Sequence, residues 1–232
     1  MDRRTRKGLK TDKFAQNVTH GFEFLTDHGA EAKRYSAIAV VVIALAAGIY
    51  FYNRHQATAR EEALAHALRL DDATVGANVQ PANLHFNTQE EKDKALSTAL
   101  TDVTAKYHGS AEGAIAGIYL ASNVADKGNL TEAEKRYKDV MDSAPKDYAA
   151  LARLSLAQVY EGENKPAEAE KLLREAVAHP TATVSKESAT IELAKLISKT
   201  KPAEARKLLE PLRTERASVS RAAVAALGEI PN

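Results

Sequence analysis

Three stretches of this chain repeat at a fixed interval. Lys165-Pro-Ala-Glu-Ala-Glu-Lys-Leu-Leu173 and Lys201-Pro-Ala-Glu-Ala-Arg-Lys-Leu-Leu209 agree at eight of nine positions with an offset of 36. Leu130-Thr-Glu-Ala-Glu-Lys-Arg-Tyr137 lies 36 residues before the first of these in the same register. All three are helical in character, and a helical repeat of that length is one pair of antiparallel helices. A single pair cannot bury its apolar face alone, so successive pairs must stack. The expected fold class is therefore all-α, an α-solenoid.

The middle unit resembles the tetratricopeptide repeats at diagnostic positions: Leu156, Ala157 and Tyr160 on the first helix, Ala169, Leu173 and Ala176 on the second. Small Ala157 and Ala169 let the two helices approach, and the larger residues fill the space between them. The earlier unit shows Leu120, Ala121, Ala133, Tyr137 and Val140 before a terminating Pro145, with Val124 in place of the tyrosine. In the later unit Leu193, Ala194 and Ile197 match if the turn before Pro202 is one residue shorter, and Ala205 and Leu209 follow in register. Thr88-Gln-Glu-Glu91 reads as a capping box that opens a helix with Leu96, Leu100, Val103 and Tyr107 on one face. That helix and the segment 57–70 form a degenerate unit interrupted by a loop from Asp71 to Thr88. Ala217 to Leu227 is a closing helix.

An uncharged apolar run, Tyr35 to Asn53, lies between Arg34 and Arg54. As a helix it is roughly 28 Å long, the thickness of a bilayer's hydrocarbon core. Tyr35 at one end and Tyr50, Phe51 and Tyr52 at the other fall where amphipathic aromatics favour the membrane interface. Eight Lys and Arg residues precede the run and few follow it closely, which places the N-terminus in the cytosol and the rest outside. Ala57-Thr-Ala59 could serve a signal peptidase, but the basic region is far too long for a signal and the bulky aromatics fill the approach. An uncleaved anchor is favoured. Ala44-x-x-x-Gly48 offers a groove to another span, a pairing that an alanine-rich run also produces by chance.

The expected layout is a basic cytosolic tail at 1–34, a transmembrane helix at 35–53, and a juxtamembrane helix, loop and degenerate repeat at 54–110. Three helix pairs at 111–216 and a closing helix with the C-terminus at 217–232 complete it. Within the tail, Phe14, Val18, Phe22 and Leu25 share a helical face, either a short helix on headgroups or a partner, or a weakly ordered linker.

A net charge of +1 gives no field that would favour nucleic acid. Without cysteine there are no disulfides or thiolate metal sites. The seven histidines never fall at i, i+4 with one another, so no helical metal pair exists. Ser143-Ala-Pro-Lys146 matches a serine-lysine pattern, but it sits at a turn between repeats and so short a match arises by chance. The chain reads as non-catalytic, with no cofactor and no small-molecule substrate. Glu/Lys runs on second helices, such as Glu132 to Lys138, are a solvated face supported by i, i+4 pairs rather than an interaction strip.

In tetratricopeptide repeats first-helix residues line the concave groove. The resemblance carries that role to Ile115, Ile118, Ser122, Leu151, Leu154, Gln158, Ile191 and Lys195. This set is mostly apolar and lacks the basic and amide cluster with which some relatives clamp a terminal carboxylate. It suits an extended hydrophobic segment or a partner helix; alternatively the chain fills the groove itself and these residues are core.

The order of parts is similar to YfgM, the family of ancillary subunits of the bacterial SecYEG translocon. Phe51-Tyr-Asn-Arg-His-Gln56 is similar to that family's aromatic-x-Asn-x-His-Gln segment just outside the anchor. The longer basic N-terminus and the loop from Asp71 depart from the pattern. The resemblance implies an inner-membrane protein with a periplasmic repeat domain. It would have protein partners, translocon subunits and a periplasmic chaperone, and contact lipid through the anchor. A generic envelope scaffold for outer-membrane or cell-division assembly is the alternative.

Overall fold

The computed structural model describes residues 29–76 and 84–231, with side chains from residue 33 onward. Among them the helices are α1 Gly29–Asp71, α2 Gln89–Lys106, α3 Ala111–Asp126, α4 Leu130–Ser143, α5 Lys146–Gly162, α6 Pro166–Ala178, α7 Lys186–Ile197, α8 Pro202–Leu209 and α9 Ala217–Gly228. A 3-10 turn, Glu210–Thr214, joins the last two. The chain divides into two compact units, Met1–Ala57 and Thr58–Asn232. The face formed by Phe14, Val18, Phe22 and Leu25 lies outside the described residues.

In the first unit, α1 supplies the one helix among the described residues that is long and apolar enough to cross a membrane. Its apolar window is entirely unburied. Ile38, Val40, Ile43, Leu45 and Ile49 all stand exposed, a continuous apolar surface that water does not favour.

In the second unit, each repeat is cut by a short turn whose geometry follows its sequence. In the first two, Gly128 (φ 81°) and Asn164 (φ 59°) take the left-handed conformation at equivalent places. They close the preceding helix with bonds from Asn129 N–H to the Val124 carbonyl (3.1 Å) and from Lys165 N–H to the Tyr160 carbonyl (2.8 Å). The third turn has lost one residue, and β-branched Thr200 would sit badly in that conformation. There Lys201 N–H instead reaches the Ile197 carbonyl at 2.7 Å, a tighter ending. Pro166 and Pro202 then open the second helices, where a missing N–H costs nothing.

Two hydrophobic clusters dominate the second unit. One runs from α3 to α9 around Leu156, Leu193, Ile197 and Leu209. The other joins Leu64, Ala67 and Leu70 to Leu96, Leu100 and Val103 of α2, with Ala116 and Leu120 of α3. The small positions expected at helix crossings, Ala133, Ala169 and Ala205, have no exposed surface.

The loop after α1 is tied at its ends. Thr74–Val75 and His85–Phe86 pair as a two-residue parallel ladder, and Phe86 packs on the second cluster. Thr88 caps α2 as expected, its hydroxyl accepting from Glu91 N–H at 3.2 Å. The reciprocal arm of the box shifts by one residue, since Glu91 accepts from Asn87 N–H (3.2 Å) rather than from Thr88.

A charge ladder links successive repeats. Glu134 holds Lys138 at 2.6 Å and Lys165 of the next turn at 3.5 Å; Glu170 holds Arg174 and Lys201, both at 2.7 Å. The single mismatch between the two nine-residue copies falls on this position, where Glu170 becomes Arg206. Arg206 instead donates to the carbonyls of Ile230 and Pro231 (3.3 and 3.1 Å).

Lys138 holds the Glu134 carboxyl below its usual range, and Lys201 does the same for Glu170. Because folding lowers these values, the stability they contribute is complete above the ordinary value of 4.5 and lost as pH falls through the folded one. Glu170→Gln is expected to cost up to about 1 kcal/mol at neutral pH. In strong acid it should cost nothing, which thermal unfolding at the two pH values checks.

Candidate partner-binding surfaces

The residues expected to line a concave groove lie on α3, α5 and α7. Ile115 packs partly against the cluster around Leu100, and Ile118 against the one around Leu156. Leu151 and Leu154 are half-buried over Ala150, Ala176 and Val184. Gln158 is exposed. Lys195 is exposed too, its ammonium 3.0 Å from Glu192. Ile191 is 6% exposed and lies in the cluster around Leu156. The closing helix α9 packs on α7 at this end of the array.

Ser122 has a role that spacing did not reveal. It and Ser155, from the first helices of neighbouring repeats, lie beside the Tyr137 hydroxyl. Burial first, then the nearby Asp126 charge, push that phenol above its usual range, while the two serines work the other way.

Charged side chains on the second helices pair among themselves: Arg136 with Glu132, Lys138 with Glu134, Arg174 with Glu170. That is the solvated face expected of them. Ser143, at the end of α4, donates to the Asp139 carbonyl at 2.7 Å, an ordinary helix back-bond.

A different recess, unseen in the sequence, lies between α2 and residues 58–71 of α1. Ala63, Leu70, Phe86, Ala95, Ala99 and Val103 form its floor, and its volume is about 690 Å³. Beside it Tyr107 donates its hydroxyl to the Ala59 carbonyl (3.4 Å), and Arg60 meets Glu112 at 3.2 Å.

In the first unit, Tyr35, Tyr50, Phe51 and Tyr52 are all exposed. Tyr50 and Phe51 meet edge to face with centroids 5.6 Å apart. The Gln56 amide donates to the Tyr52 hydroxyl at 3.1 Å, joining the second and last residues of the Phe51–Gln56 motif on one helix face.

A family model described as a tetratricopeptide repeat-like domain matches residues 30–177. The chain belongs to that family. The match covers α1 through α6, and the third helix pair of this tetratricopeptide repeat-like protein lies beyond it. Comparison with curated proteins gives no match. Among solved structures, the chain is similar to nearly identical tetratricopeptide-like repeats assigned to a kinesin light chain of Podosopora anserina. Identity is 20%, the TM-score 0.47, and the alignment covers 61% of this chain and 79% of that one. A point variant of the same repeats gives 20% identity and a TM-score of 0.48, over 61% and 78%. The family's fold is one of protein–protein interaction scaffolds.

Proposed function

We propose that this tetratricopeptide repeat-like chain is a non-catalytic, single-pass protein of the bacterial inner membrane. Its N-terminus is cytosolic and its repeat domain periplasmic, and it serves as an ancillary subunit of the SecYEG translocon that brings a periplasmic chaperone to the exit. The observation that carries this reading is the unburied apolar helix with aromatic ends, attached in sequence to a repeat of the interaction-scaffold family. The Lys/Arg imbalance around it supports the orientation. The Phe51–Gln56 segment supports the translocon as neighbour through its likeness to YfgM. Ile115, Ile118, Ser122, Leu151, Leu154, Gln158 and Lys195 are the proposed chaperone-facing surface, and Ile191 supports them from below.

Photo-crosslinking from a reactive amino acid at Tyr52 in cells, followed by purification in mild detergent, is expected to recover a translocon subunit. The double substitution Leu151→Ser and Leu154→Ser is expected to reduce chaperone recovery on the order of tenfold, equivalent to losing about 1.4 kcal/mol of binding, while the chain stays helical. Recovery of cell-division or outer-membrane assembly proteins, with no translocon subunit, overturns the assignment.

A further inference from the structure

The recess between α2 and residues 58–71 of α1 adjoins a second one of about 630 Å³, and the two share Ala63, Asp102 and Val103. Together they form a groove along α2 from Glu91 to Lys106, about 22 Å at 1.5 Å per residue. Its floor is apolar, and most of its charge stands at the two ends. At the Phe86 end, Glu91 accepts from Asn87 N–H at 3.2 Å and lies one helical turn from Lys94, of opposite sign. Midway, Thr98 donates its hydroxyl to the Lys94 carbonyl at 2.9 Å, and His66 lines the α1 side. At the Tyr107 end, Asp102 and Lys106 are again one turn apart. Both are exposed, and neither is in an ion pair among the described residues. The Lys106 ammonium stands over the Tyr107 ring, 5.2 Å from its centre.

The Tyr107 end is also where the chain enters this unit. The Tyr107 hydroxyl meets the Ala59 carbonyl at 3.4 Å, and neighbouring Thr58 is five residues from Asn53, the last of the apolar run. No more than about 18 Å of chain separates Thr58 from Asn53. On the anchor proposed above, on which this inference rests, that mouth of the groove lies within reach of the bilayer surface. We propose that the groove takes a single-tailed phospholipid from the adjacent leaflet, a lysophospholipid with a phosphoethanolamine head. The tail lies on the apolar floor, the phosphate meets Lys106, and the ammonium meets Asp102. Charge complementarity selects the head. A purely anionic head would meet Asp102 as a like charge, and a quaternary ammonium has no N–H to donate to its carboxylate. The floor selects the tail, since the distance from Lys106 to Lys94, about 18 Å, accommodates about 14 carbons of an extended hydrocarbon. One tail rather than two follows from exchange: a single acyl chain binds a bilayer only marginally and reversibly, so it can leave for the groove.

The full chain in bilayer discs of phosphatidylcholine permits a direct test, free of detergent that would itself fill the groove. Lysophosphatidylethanolamine with a diazirine in its tail is added and irradiated, and labelled peptides are identified by mass spectrometry. Trypsin releases Ala95–Lys106 intact. This peptide is expected to carry label that excess unlabelled lysophosphatidylethanolamine removes. The anchor peptide Tyr35–Arg54, labelled within the bilayer, is the internal standard. Against it, Ala99→Trp, which fills the floor, should cut the label on Ala95–Lys106 on the order of tenfold, and lysophosphatidylglycerol with the same diazirine should label it about fivefold less. Asp102→Asn should bring the two probes to within about twofold of each other, a loss of head preference that a merely structural role for Asp102 would not produce. Far-UV circular dichroism confirms that each variant is folded. Label that the competitor does not remove, that folded Ala99→Trp leaves unchanged, or that is equal for the two heads in the parent chain overturns the proposal. Label on the anchor peptide with none on Ala95–Lys106 overturns it alone, whereas an unlabelled anchor peptide overturns the anchor and this inference with it.

Discussion

Leu156→Ala is expected to lower the free energy of unfolding by about 3 kcal/mol, the cost of the lost apolar transfer together with the cavity left behind. The side chain is 1% exposed and stands in the cluster shared by α3 through α9. Its neighbours cannot collapse easily into the space. Ala157 and Ala169 are already small and hold the helices at close range, and Tyr160 has its hydroxyl fixed 3.1 Å from Glu134. Position in the array adds to the effect, because a middle repeat supports interfaces on both sides. Urea unfolding followed by circular dichroism in mild detergent should show a lower midpoint with an unchanged slope. Exposed Gln158, two residues along the same helix, is the contrast: Gln158→Ala should fall within about 0.5 kcal/mol of the parent.

What could be read ahead of the structure divides along a physical line. Spacing along one helix is written in the sequence, so the offset of 36 residues located Ala133, Ala169 and Ala205 at the crossings, where they are fully buried. The shortened third turn was legible for the same reason: the apolar pattern slips by one residue before Pro202. Distances between helices are not written that way. The recess between α2 and residues 58–71 of α1, where Phe86 packs, is set by contacts between segments far apart in sequence. No periodicity in Ala63 or Ala99 announces it. Ile191 illustrates a second limit. The groove positions came from family likeness, which treats all repeats alike, whereas the last first-helix of this array receives α9. Val219, Ala223 and Ala226 gave a usable signal, since an apolar face on the closing helix needs a neighbour to bury it. The charge reversal from Glu170 to Arg206 was legible as well, at the one position where the two copies differ.

Glycine is where helix propensity alone misleads most, and Gly113→Ala is expected to cost about 3 kcal/mol although alanine is the better helix former. A methyl group on Gly113 would lie 2.8 Å from the carbonyl carbon of Tyr107 and nearer still to its oxygen. The obstacle is backbone, which cannot rotate aside. Moving it would disturb the end of α2 and the start of α3 together. Ser110 caps α3 by accepting from Gly113 N–H at 3.1 Å and donates to the Tyr107 carbonyl at 2.8 Å. Tyr107 in turn carries the hydroxyl contact to Ala59. The same substitution at Gly228, which has no atom within 4 Å and a helical backbone, should be neutral or stabilising by up to about 1 kcal/mol. Opposite signs for one chemical change at two helical glycines, measured by thermal unfolding, separate steric contact from propensity. Equal and small effects at both would show that the junction between α2 and α3 can yield, and with it the wall that holds the α2 groove open.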